Sequence, residues 1–161
     1  MTTTEVPPDA PAEFRDALEQ AALAGFRSEL RVFETAAPQG LAPFQKAWAA
    51  DVEPTSTTDD NEYGTGRLVF LCDPSRPESW SSVYRMVVFA QAPIDQDMGA
   101  DQFLPDVAWS WLIDALNTRG AEYVRSAGTT TTVLSTGFGD LASEGAGAQV
   151  EVRASWSPTS S

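Results

Sequence analysis

The stretch "APFQKAWAADVE", residues 42–53, decides the fold, because it fits two kinds of element at once. Phe44, Trp48 and Val52 recur at helical spacing, whereas Phe44, Lys46, Trp48, Ala50 and Val52 share one side of an extended strand. Its setting favours the strand. The polar, glycine-bearing link "PTSTTDDNEYGTG" (54–66) leads into "RLVFLCD" (67–73), an apolar run of strand length, and two strands with a loose connection make a hairpin.

Upstream, "ELRVFE" (29–34) sets Leu30 and Val32 on one side and Arg31 and Phe33 on the other, the two-residue period of a strand. Before it, Phe14, Leu18 and Ala22 recur every four positions, which predicts an amphipathic helix that Asp9 is placed to cap, that tolerates Pro11 in its first turn, and that ends near Gly25. Downstream, "DPSRPES" (73–79) reads as a turn and "VYRMVVFAQ" (83–91) as the next strand. "PIDQDMGADQF" crosses to a second helix, "LPDVAWSWLIDALNTRG" (104–120), and past Gly120 "TTTTVLSTGF" and "AQVEVRASW" are two more strands joined by the glycine-rich "GDLASEGAGA". In the last strand Val150, Val152, Ala154 and Trp156 face one way and Gln149, Glu151, Arg153 and Ser155 the other, as in a sheet with one buried face.

The expected architecture is α+β: an antiparallel sheet of five or six strands covered by two helices, in the order α-β-(β)-β-β-α-β-β. This order is similar to that of the secretion-chaperone-like fold, an analogy that carries no function with it. Residues 10–157 are expected to form a single domain between disordered tails at 1–9 and 158–161.

The 161 residues hold 23 acidic and 10 basic side chains, for a net charge of −13. So few cations do not furnish a basic track for a phosphate backbone, so direct nucleic-acid binding is not expected. There is no histidine, which removes Ser-His-Asp and Cys-His catalysis and histidine-ligated zinc or haem together. The lone Cys72 cannot form an internal disulfide, which suits a reducing compartment. No apolar run approaches the roughly 18 residues of a membrane span, and the first residues lack a signal-peptide pattern, so a cytoplasmic location without membrane contact is expected.

Within residues 104–120 two tryptophans stand two positions apart. At about 100° per residue, Asp106, Ser110, Asp114 and Asn117 form a polar stripe and Ala108, Leu112, Ala115 and Leu116 face the sheet. Trp109 and Trp111 then lie roughly 200° apart and flank the core stripe from either side, so they cannot both sit at its centre. Either each indole covers a rim of the core, or at least one ring stays accessible and anchors a partner. An accessible ring beside Asp106 or Asp114 favours a basic or amphipathic partner.

Other constellations are weaker. Asp95 and Asp97 resemble an Asp-x-Asp phosphatase pair only faintly, and a calcium loop fails because its fifth position is Gly99; helix capping and a solvated turn explain them better. Asp51, Glu53, Asp59, Asp60 and Glu62 form an acidic stretch that is either a solvated loop or a landing patch for a basic protein surface. Cys72 ends a buried run and reads as a small core residue. Gly64 and Gly66 are too sparse for a phosphate loop.

"APQGLAPF" (37–44), "TGRLVFLCDP" (65–74), "WSWLIDAL" (109–116), "GFGDL" (137–141) and "EVRASW" (151–156) occur in an order that resembles the actinobacterial family known as domain of unknown function 3000, from about residue 12 to 158. The resemblance implies no activity, cofactor or catalytic residue, and a link to RNA metabolism only through a ribonuclease D-like gene near its members. The expected function is a non-catalytic protein-interaction or regulatory module without cofactor or metal, using Trp109, Trp111, Asp106, Asp114 and the acidic stretch to meet a basic protein. The alternatives are an enzyme working through carboxylates and arginines, such as Asp95 and Asp97, and a binder of small ligands in a pocket between the second helix and the sheet.

Overall fold

In the computed structural model, which describes residues 7–52 and 64–159, the deciding stretch is a strand. Phe44–Val52 (β2) pairs antiparallel with Leu30–Thr35 (β1) on one side and Thr65–Cys72 (β3) on the other. Tyr84–Ile94 (β4) lies against β3, Ala146–Pro158 (β6) against β4, and Tyr123–Thr136 (β5) forms the far edge. The result is one six-stranded sheet in the order β1-β2-β3-β4-β6-β5, antiparallel throughout. The strand wins at β2 because both of its sides find partners. Ala47 is buried on one face, while Trp48 packs on the other beside Lys46, whose Nζ lies 2.7 Å from Glu34 Oε2.

Two long helices cover one face, as the α+β reading expects, and the short Gln96–Gly99 helix joins them there with Gly99 against Ala148 and Ile94. Ala12–Ala24 (α1) seats Phe14 on Phe70 and Cys72, and Leu104–Thr118 (α3) seats Leu104 and Ala108 on Val150. No described helix packs on the opposite face. Its core is the Ala47, Val69 and Leu71 cluster, covered by Ala37, Ala42 and Trp80 from the connecting loops. The second half of β3, Val69–Cys72, is therefore buried from both sides, whereas its first half, around Gly66, is not.

Four local expectations change. Asp9 does not cap α1, whose N-cap position is Pro11 and makes no side-chain hydrogen bond. A short helix, Gln96–Gly99 (α2), and a 3-10 turn at Gly139–Glu144 lie in links that were expected to be irregular, both too short to show a periodicity. Asp95 holds the N-cap position of α2 without a side-chain bond, so solvation and not capping accounts for it. Ala115 is exposed, because complete burial on α3 is confined to Leu104 and Ala108 in its first turns. At the chain ends, Pro158 closes β6 and the Thr159 N–H donates to Glu122 O, while residues 1–6 and 160–161 lie outside the described residues. No described helix is long and apolar enough to cross a membrane.

Candidate functional site

The registers of β2, β3, β4 and β6 align three small residues, Ala50, Gly66 and Ala90, in one row across the helix-bearing face, with Val32 and Val152 at its ends. The neighbouring rows add Trp48, Leu68 and Val88 on one side and Val52, Ala92 and Val150 on the other. α1 covers only the Cys72 end of this face and α3 only the β6 and β5 side. Between them, among the described residues, the floor forms an apolar groove of about 420 Å³.

Two aromatic rings stand at its walls. Phe26, just past the C-terminal Gly25 of α1, is 46% exposed and lies 6.3 Å from the Trp48 ring. Trp111 of α3 lines the groove and is 49% exposed. Trp109 has the other fate. Its Cζ3 presses on Gly128 of β5, where a Cβ would stand 2.6 Å from it, and the ring is partly buried. The pair thus divides: Trp109 fastens α3 to the sheet, and Trp111 faces the groove.

Asp106 and Asp114 are exposed on α3. Asp51 points to the opposite face of the sheet, where Arg31 reaches it at 3.8 Å, so it does not share a surface with Trp111. Glu53, Asp59, Asp60 and Glu62 lie outside the described residues. Asp95 and Asp97 are exposed at α2. No three His, Cys, Asp or Glu among the described residues come close enough to hold a metal ion. The described lining of the groove contains no carboxylate, so what it offers is burial of apolar surface; Thr65, Arg67 and Gln91 also border it, but strand alternation turns their side chains to the opposite face. Phe26, Trp48 and the row of small residues were not singled out by the sequence. The available signal was the alternation that places Ala50, Gly66 and Ala90 on the same side as the core valines.

Cys72 is buried at the foot of α1, and burial, followed by the charges of Asp73 and Glu13, pushes its thiol up to about 11 from 9.0. Because the folded pKa is the higher one, the thiol's contribution to stability is complete below pH 9 and is lost as the pH climbs from 9 to 11. Urea midpoints should show the native chain losing up to about 2 to 3 kcal/mol over that interval relative to Cys72→Ala. Parallel pH profiles for the two would mean that the thiol titrates alike in both states.

The fold and site together define an α+β protein with an aromatic-walled apolar groove on the helix-bearing face of an antiparallel sheet. Over residues 10–161 the chain matches the family model described as Protein of unknown function (DUF3000), and it belongs to that family. No curated protein and no solved structure matches it.

Proposed function

We propose that this chain is a non-catalytic binding module that takes up the apolar side of a basic amphipathic helix, presented by a partner protein, in the groove between α1 and α3. The observation that carries this reading is the apolar floor, uncovered among the described residues, with Trp111 and Phe26 half exposed at its sides. From β2 to β6 the floor spans three strand spacings, about 14 Å, and an α-helix with its side chains needs about 10 to 12 Å. A helix docked there would bury apolar anchors at successive turns against small floor residues, with Trp111 as the natural hot spot.

Charge supports a basic partner. The chain carries −13, Asp106 and Asp114 are exposed on the helix that bears Trp111, and the acidic stretch Glu53, Asp59, Asp60 and Glu62 follows Val52 of the groove in sequence. Such a field accelerates encounter with a cationic partner and loses effect as salt screens it. The volume also falls in the range of small-molecule sites, so an apolar ligand is the second reading.

Titration of tryptophan fluorescence with an amphipathic Leu/Lys peptide of about five helical turns separates the two. The peptide should bind, more weakly at high salt, and Trp111→Ala should weaken it by about tenfold or more while costing little stability. A fatty acid that binds where the peptide does not would favour the small-ligand reading. Binding of both ligands unaffected by Trp111→Ala, or of neither, would remove the groove as the site.

A further inference from the structure

On the helix-free face of the sheet, one register row places Arg67 of β3, Phe89 of β4 and Arg153 of β6 side by side. The Arg153 guanidinium carbon lies 4.9 Å from the Phe89 ring centroid. Both arginines are exposed, and among the described residues neither has an acidic partner: the ion pairs there are Arg27 with Glu29, Arg31 with Asp51, and Lys46 with Glu34. The one described carboxylate lining the same depression as these two arginines, Asp51, is paired with Arg31 instead.

A third arginine lies on the same face, two rows further along β4. Arg85 is only 8% exposed and donates from Nη1 to Ser157 Oγ at 2.8 Å and to the Arg125 carbonyl at 2.8 Å, and from Nη2 to Ser155 Oγ at 2.7 Å. Its partners are all neutral. Arg125 adopts a left-handed backbone, φ 57°, at the irregularity where β5 shifts register, and its carbonyl meets the guanidinium there. Because Ser155 Oγ accepts from a cation, its own hydrogen is free to be donated elsewhere, and Ser155 lines the same depression of about 820 Å³ as Arg67, Phe89, Thr129 and Arg153.

We infer that this depression binds a small organic anion carrying at least two negative charges, with Arg67 and Arg153 as the clamping cations, the Ser155 hydroxyl as a donor, and Phe89 as the apolar floor between them. The positions of Arg67 and Arg153 are two strand spacings apart, about 10 Å. That separation suits charges spread over an organic framework better than a single inorganic ion. Guanidinium forks take phosphate and carboxylate alike, so both sources satisfy the site. A long polyanion does not, because every charge extending past the patch meets a chain of net charge −13.

Calorimetric titration with a nucleoside diphosphate, with citrate, and with a single-stranded oligonucleotide tests this. The nucleoside diphosphate or citrate should bind, and whichever binds names the source as phosphate or carboxylate. Arg67→Gln and Arg153→Gln should each weaken binding by about tenfold with unchanged circular dichroism, since both side chains are exposed. Arg119→Gln, beyond the end of α3, should have no effect, and neither should Trp111→Ala on the other face. Absence of binding by both small anions at millimolar concentration, equal binding by the Arg67→Gln/Arg153→Gln double variant, or binding of the oligonucleotide alone would each overturn the assignment.

Discussion

Phe14→Ala is expected to destabilise the protein by about 3 to 5 kcal/mol, the cost of deleting a fully buried aromatic ring and leaving a cavity. Phe14 has 0% exposure and its ring packs 5.2 Å from that of Phe70, over Cys72. Little else fastens α1. The helix has 13 residues, no side-chain cap and no basic residue in its last turn, and isolated helices of that length are marginal in water. Ala10, Ala17 and Leu18 add smaller contacts around the same cluster. Against a typical total stability of about 5 to 15 kcal/mol, the loss should lower the melting temperature by on the order of 10 °C. Phe14→Leu, which refills most of the space, should cost a fraction of that. Thermal and urea unfolding of the two variants give the comparison; a loss below about 1 kcal/mol for Phe14→Ala would mean that α1 is not held by this ring. Because Phe26 follows directly on α1 and forms one wall of the groove, Phe14→Ala should also weaken groove ligands, which Trp111→Ala should do without the large stability loss.

The strands were legible because alternation with period two is a local property, and even the ambiguous 42–53 stretch resolved once its neighbours were read as strands. The angular argument for Trp109 and Trp111 was also sound, since it needs only the helical rotation. It could not tell which ring was free. That depends on Gly128, far away in sequence, which leaves room for one indole and not the other. The groove was hidden for the same reason: Ala50, Gly66 and Ala90 are unremarkable in three separate strands and become a floor only through the sheet register. Arg85 was hidden more deeply. An arginine between Tyr84 and Met86 reads as the solvent side of a strand, and only Ser155, Ser157 and the Arg125 carbonyl, brought together by β6 and the irregular start of β5, make its burial tolerable. Of the charge run at 51–62 only Asp51 lies among the described residues, and strand alternation turns it to the face that Trp111 does not share.

Gly128→Ala should cost about 3 kcal/mol, at the upper end of what overpacking usually costs. An added methyl group would collide with the Arg153 carbonyl oxygen, stand 2.6 Å from Trp109 Cζ3 and 2.9 Å from Ala154 Cα. Two of the three neighbours are backbone of β6, so rotation of a side chain cannot relieve the contact; β5 must lift from β6 or α3 must rise from both. The two routes separate in a double-mutant cycle with Trp109→Leu. If the indole is the hard obstacle, the double variant is more stable than the sum of the single losses predicts. If the β6 backbone is, the losses add. Either result leaves the close approach intact, whereas a cost for Gly128→Ala below about 1 kcal/mol would show that Trp109 does not rest on β5. The consequence reaches the groove. Trp111 is carried by the same helix, so lifting α3 moves the half-exposed ring away from Val150 and Val152, and ligand affinity should fall in Gly128→Ala although no residue lining the groove has changed.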